Sequence, residues 1–178
     1  MKTILLGLCC AWSLAAMAQS APADPWTSLR FLEGNWTGTA EGESGRGTAH
    51  RSYRFILGYR FLEEANVSAY APKKPDLSGE VHEHRSLLSY DRMRKRLVLR
   101  QFHQEGFVNQ YVQDPDLGST GKVVFVSEGF ENLSPKWRAR ETYELISRDA
   151  FIETFEIAPP GKEFSVYSRN SFTRAVPR

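Results

Sequence analysis

One rhythm constrains this chain more than anything else in it. Between residues 36 and 174, short runs rich in apolar residues recur, each ended by Gly, Pro, Asp or Asn, and no helical period of useful length intervenes. The runs are Trp36–Gly42, Ala49–Ile56, Arg60–Tyr70, Glu83–Tyr90, Arg96–His103, Phe107–Gln113, Lys122–Phe130, Trp137–Ile146, Ala150–Ala158 and Glu163–Arg174. Their breaks carry turn chemistry, as at Leu57-Gly58, Asp91-Arg92, Glu105-Gly106 and Pro159-Pro160-Gly161. Short turns pair strands in sequence order, and a large meander closes on itself to remove its exposed edges. The pattern predicts an all-β fold, a single up-and-down antiparallel β-barrel of about ten strands. A short helical turn precedes it over 24–33, where Asp24 can cap and Pro25 suits a first helical position.

The N-terminus reads as an address. Lys2 is followed by an apolar stretch from Ile4 to Met17, and Ala16-Met17-Ala18 has the small-x-small pattern of a cleavage site. Residues 1–18 are therefore expected to be a signal peptide, leaving 19–178 as one barrel domain in the periplasm or secreted. The run is too short to leave a membrane span in the mature protein. Both cysteines, Cys9 and Cys10, fall in this segment, so the mature chain has no disulfide, thiol nucleophile or Cys ligand. Lipidation is the alternative use of Cys9, and Leu8 before it is the wrong residue type. A chain of 178 residues can bury a core without such staples. Its oligomeric state is not written in the sequence.

The formal charge is +2, with acidic and basic residues interleaved, which argues against a nucleic-acid partner. One stretch departs from this, with Arg92, Arg94, Lys95, Arg96 and Arg100 set against Asp91. It reads either as a solvated hairpin tip or as a contact with anionic lipid or polysaccharide.

Imperfect alternation says something about the interior. Phe107, Asn109 and Tyr111 share one face, and Trp137, Ala139, Glu141, Tyr143 and Leu145 share another. A solid sandwich would show one cleanly apolar face. Aromatics mixed with Asn and Glu suit a partly polar, hollow lumen, unless those polar groups face water.

Gly34-Asn35-Trp36-Thr37-Gly38 follows the helical turn and opens the first strand, and Arg174 stands near the end of the last. This placement resembles the calycin superfamily of lipocalins, fatty-acid-binding proteins and nitrobindin-like barrels. The whole mature chain also looks like bacterial exported lipocalin-like or nitrobindin-like proteins, through Ile56 to Leu62, Tyr90-Asp91, Phe102 to Tyr111, Arg140 to Tyr143 and Pro159 to Phe164. The resemblance implies a barrel with Trp36 plugging its closed end, Gly34 turning the chain tightly before it, and Arg174 lying against the indole. Arg169 is the fallback partner. Nitrobindin-like proteins hold haem through an imidazole near the C-terminus. Here no His lies beyond His103, so no haem is expected, nor any other cofactor.

Three constellations could carry chemistry. The expected lumen ligand is a small apolar or amphipathic molecule, such as a lipid or polyketide-like compound. Arg100, Tyr111, Glu141 and Tyr143 are its candidate anchors, and Phe102, Phe107 and Phe155 its walls. A cavity above about 300 Å³ follows from that reading. Glu128, Glu141 and Glu153, with Arg100, Arg140 and Tyr143 nearby, could instead supply a desolvated acid or structural ion pairs. His82, His84 and His103 could meet at one strand end. A metal would need their nitrogens within about 4 Å of one another, and the expectation is a polar strand end without one. No catalytic residue is assigned. The runner-up is an enzyme using a lumen carboxyl or a His-bound metal, and the third reading is a filled barrel acting through its surface.

Overall fold

A computed structural model of the chain describes residues 24–72, 74 and 78–176. The expected signal peptide, with Cys9 and Cys10, lies outside the described residues. The described chain begins with turns and a single 3₁₀ turn, Arg30–Leu32. Ten antiparallel strands follow: β1 Gly34–Gly42, β2 Gly45–Ile56, β3 Phe61–Tyr70, β4 Glu80–Asp91, β5 Arg96–His103, β6 Val108–Gln113, β7 Lys122–Glu131, β8 Arg138–Ser147, β9 Ala150–Ala158 and β10 Ser165–Arg174. Each pairs with its sequence neighbours, and β1 pairs with β10, so the sheet closes. The resulting barrel has no free strand edge.

Several strands run longer than their apolar pattern. The second run begins in sequence at Ala49, but β2 starts at Gly45, opposite Gly42 of β1. Hydrogen bonding to a neighbouring strand extends a strand through residues whose side chains give no periodic signal.

Closure places Trp36 directly opposite Arg174 in the β1–β10 register. Trp36 is fully buried and donates its indole N–H to the Leu32 carbonyl at 2.7 Å. Its ring meets Phe151 edge to face at 4.8 Å, and Phe151 stacks on Phe172 at the same distance. The Arg174 guanidinium lies over the indole at 4.2 Å. Its Nη1 donates to the Glu33 carbonyl at 2.8 Å and its Nη2 to the Phe31 carbonyl at 3.0 Å. One cation thereby satisfies the carbonyls that a short helical turn leaves open. Gly34 is needed here twice over. Its φ is +124°, and a Cβ would sit 2.7 Å from Arg174 Nη1.

Toward the other end, the inward side chains change character on strand after strand. On β2 the inward series from the closed end is Tyr53, Arg51, Ala49; on β3 it is Leu62, Glu64, Asn66, Ser68. On β5 it is Leu97, Leu99, Gln101, His103, and on β9 it is Phe151, Glu153, Phe155. The barrel therefore has an apolar layer, a charged layer and a mixed mouth.

The basic stretch sits at the β4–β5 turn, on the closed end. Arg94 is paired with Asp91 at 2.7 Å and with Glu128. Arg96 donates to the Gln113 carbonyl at 3.1 Å. Much of its charge is thus engaged locally.

Candidate functional site

Above the apolar layer a cavity of about 460 Å³ opens between the turns that join β1 to β2, β5 to β6 and β7 to β8. That volume lies within the range of small-molecule sites. The interior of this half is not filled by side chains.

Its floor is an ion network. Arg51 donates from Nη2 to Glu153 Oε2 at 2.6 Å, and its Nη1 contacts the other Glu153 oxygen. The same Nη1 lies 3.2 Å from Glu64 Oε1, which also accepts the Tyr53 hydroxyl at 3.1 Å. Arg51 Nε donates to Asn66 Oδ1 at 3.0 Å, and Asn170 donates to Glu153 Oε2 at 2.7 Å. All these side chains are buried, and within the network Glu64 Oε2 and Asn170 Oδ1 are left without a hydrogen-bond partner. Burial alone would raise the Glu64 carboxyl, but Arg51, and then His84, hold it well below the usual carboxylate range. The guanidinium also lies over the Phe172 ring at 4.7 Å, tying the floor to the apolar layer.

Glu141 is the contrasting carboxyl. Burial, then the negative charge of Glu153, push it well above the usual range. Glu141 Oε1 accepts a hydrogen bond from the Gln101 amide at 3.5 Å. Its Oε2 has no partner. The same is true of Asn109 Oδ1 and Asn170 Oδ1, on two more residues that line the cavity.

The mouth carries the histidines. His84 of β4 lies opposite His103 of β5, and His82 is two residues along on the same face. The ring centroids stand 5.7, 5.4 and 5.3 Å apart. One nitrogen from each ring falls within 4.8 Å of the others. The three meet at one strand end, as the sequence allowed, and, as expected, their spacing is wider than the limit of about 4 Å set for a bound metal. The β4–β5 register decides it, and no periodicity in the sequence encodes that register. Burial, then the neighbouring His84 and His82, lower His103 to about 3, so its imidazole is neutral. Phe107 stacks on it at 4.2 Å.

The other sequence candidates divide by facing. Phe107, Glu141 and Phe155 line the cavity. Tyr111 and Tyr143 point inward too but are packed beneath it, fully buried in the core. Arg100 and Phe102 do not reach the lumen, which corrects their assignment as anchor and wall. Leu99, Gln101 and His103 take the inward positions of β5, so the residues between them point out. Arg100 donates to Gln110 at 2.9 Å on the outer surface, and Phe102 is 43% exposed. Glu128 and Arg140 are outer residues as well, paired with Arg94 and Glu156 respectively. Of the three candidate acids only Glu141 and Glu153 face the lumen. Arg51 and Glu64 were absent from the sequence candidates. A signal existed, since both lie in phase with buried apolar residues of their own strands, Ala49 and Tyr53 for Arg51 and Leu62 for Glu64.

No protein-family model matches the chain, and no curated protein matches it. Among solved structures, the chain is similar to the crystal structure of Rv2717c from M. tuberculosis, with a TM-score of 0.62 and 14% identity. That match covers 86% of this chain and 99% of the other. A redesigned beta barrel matches with a TM-score of 0.39 and 11% identity, over 82% of this chain and 93% of its own. The first likeness shows the fold: this chain is a closed ten-stranded antiparallel barrel of a shape also found in a mycobacterial protein.

Proposed function

We propose that this chain is an exported, calycin-like barrel that holds a small amphipathic molecule in its lumen. The observation that carries this reading is the cavity itself, a space of about 460 Å³ with Phe107, Phe130, Phe155 and Tyr167 on its walls and buried ions on its floor. Apolar walls supply most of the binding free energy, and a few fixed polar groups orient the ligand. The unpartnered oxygens of Asn109, Glu141 and Asn170 favour a polar group at the inner end, and burial, which raises the Glu141 carboxyl, favours its protonated, hydrogen-bond-donating form. The apolar part of the ligand then lies toward the mouth. The segment at 1–18 supports a periplasmic or secreted location.

Native mass spectrometry of protein purified from its own host tests the reading. An extra organic mass, lost on mild denaturation, is expected. In parallel, the dye 8-anilinonaphthalene-1-sulfonate should bind saturably at one site and be displaced by that compound. Protein that carries no organic mass and gives no saturable dye binding would overturn the reading while leaving the fold intact.

A further inference from the structure

We propose that His82, His84 and His103 form a site for a divalent transition metal of the zinc type at the mouth of the barrel. A zinc ion with Zn–N bonds of about 2.0–2.1 Å in tetrahedral geometry holds its ligand nitrogens about 3.4 Å apart. His82 Nε2 and His103 Nδ1 already stand 3.4 Å apart, and the third imidazole lies within 4.8 Å. Rotation of one ring closes the remaining gap.

The surroundings fit this use. His82 Nδ1 bonds the Glu105 carboxylate at 2.8 Å. That bond fixes the tautomer with Nδ1–H outward and leaves the Nε2 lone pair facing His103, the arrangement by which carboxylates orient metal-ligating imidazoles. His103 Nδ1 faces that lone pair, so the two nitrogens must share either a proton or a cation. With a cation, His103 needs an acceptor for its Nε2–H. Asn109 lies 3.3 Å from Nε2, and its buried Oδ1 has no partner. Turning the amide over brings that oxygen to the imidazole, and the Tyr111 hydroxyl at 3.0 Å from the amide can donate to it as well. Phe107, stacked on His103, holds the ring plane. His84 makes only long contacts of 3.4 Å, to Asn66 and Glu64, and can exchange one of them for a metal.

Three protein nitrogens leave a fourth position open, and it faces the cavity. Imidazole ligands without thiolate select zinc, copper, iron or nickel over calcium and magnesium. The site stands whether or not an organic ligand fills the lumen, so its test is separate from that of the binding reading.

The test is calorimetric titration of the untagged, chelator-stripped chain with zinc chloride, with cobalt(II) as a spectroscopic stand-in. One zinc per chain with micromolar or tighter affinity is expected, together with the intense visible bands of a four-coordinate cobalt site. His82→Gln and His103→Gln should each weaken zinc by at least about 100-fold, and Glu105→Gln by about 10-fold. Should His103→Gln fail to fold by circular dichroism, His82→Gln and Glu105→Gln on the rim decide the matter. Folded wild-type protein with no saturable zinc binding would overturn the proposal. So would zinc affinity unchanged in His82→Gln.

Discussion

The two ends of this barrel use the same strands for opposite purposes. At the closed end, Trp36, Leu62, Leu97, Phe151 and Phe172 fill the space between strands, and one cation, Arg174, seals the rim. Two residues further along the same strands stand Glu64, Leu99 and Glu153, and beyond them the interior is hollow, with aromatic walls and polar side chains among them. Both halves are closed by the same hydrogen-bonded ladder, so backbone geometry does not separate them. The difference lies in what the inward side chains gain. An apolar ring gains by leaving water, whereas Arg51, Glu64 and Glu153 gain little beyond recovering their desolvation cost. An arrangement that contributes little to stability, beneath a cavity, is consistent with the proposed lumen ligand. On the proposed reading, the closed end makes the barrel and the open end uses it.

The sharpest way to break that contrast is at Trp36. Trp36→Ala should destabilise the fold by about 3–5 kcal/mol, read from chemical denaturation, and Arg174→Ala by about 2 kcal/mol. A small effect at Trp36 would mean that the closed end is not the principal source of stability.

The floor gives the next test, in two steps. Arg51→Met alone strands two buried carboxylates and should lose about 3–5 kcal/mol. Replacing the network together, as Arg51→Met with Glu64→Leu and Glu153→Leu, should restore the stability to wild type or above it, while dye binding changes. If the triple variant remains as unstable as the single one, the ions are structural and the functional contrast fails.

Acidity separates the carboxyls further. Glu141 has a raised pKa when folded, so the native state holds its proton more tightly than the unfolded chain does. Its contribution is complete at low pH and is lost as pH rises above about 4.5, by up to about 1.4 kcal/mol per pH unit. Glu64 has the opposite sign, and stability is lost as pH falls below that value. Denaturation midpoints from pH 5 to pH 8 should therefore fall less in Glu141→Gln than in the wild type.

The smallest effect is expected on the outer wall. Arg100→Ala should change stability by less than about 0.5 kcal/mol and leave dye binding untouched, because its partners Gln110 and Ser89 face solvent with it. A loss of dye binding would place Arg100 in the lumen after all.

Much of the scaffold was legible before any coordinates. Run length and turn chemistry mark where strands start and stop, since a residue's propensity and a turn's geometry are local properties. The Gly34-x-Trp36 opening and the terminal Arg174 mark which ends must meet, because a closed meander leaves its first and last strands no other neighbour. Facing was legible where a polar residue shares its face with aromatic ones, as Glu141 does with Tyr143, and where Phe107 shares its face with Tyr111. It failed on β5, where Leu97, Val98 and Leu99 are buried in succession and hide which face Arg100 and Phe102 take. The site belongs to the tertiary structure. Arg51 meets Glu153 across 102 residues of chain, and His84 meets His103 through a strand register. A charge in sequence carries no sign of the partner that makes its burial tolerable; that partner is chosen only when the barrel closes and brings distant strands face to face across the lumen.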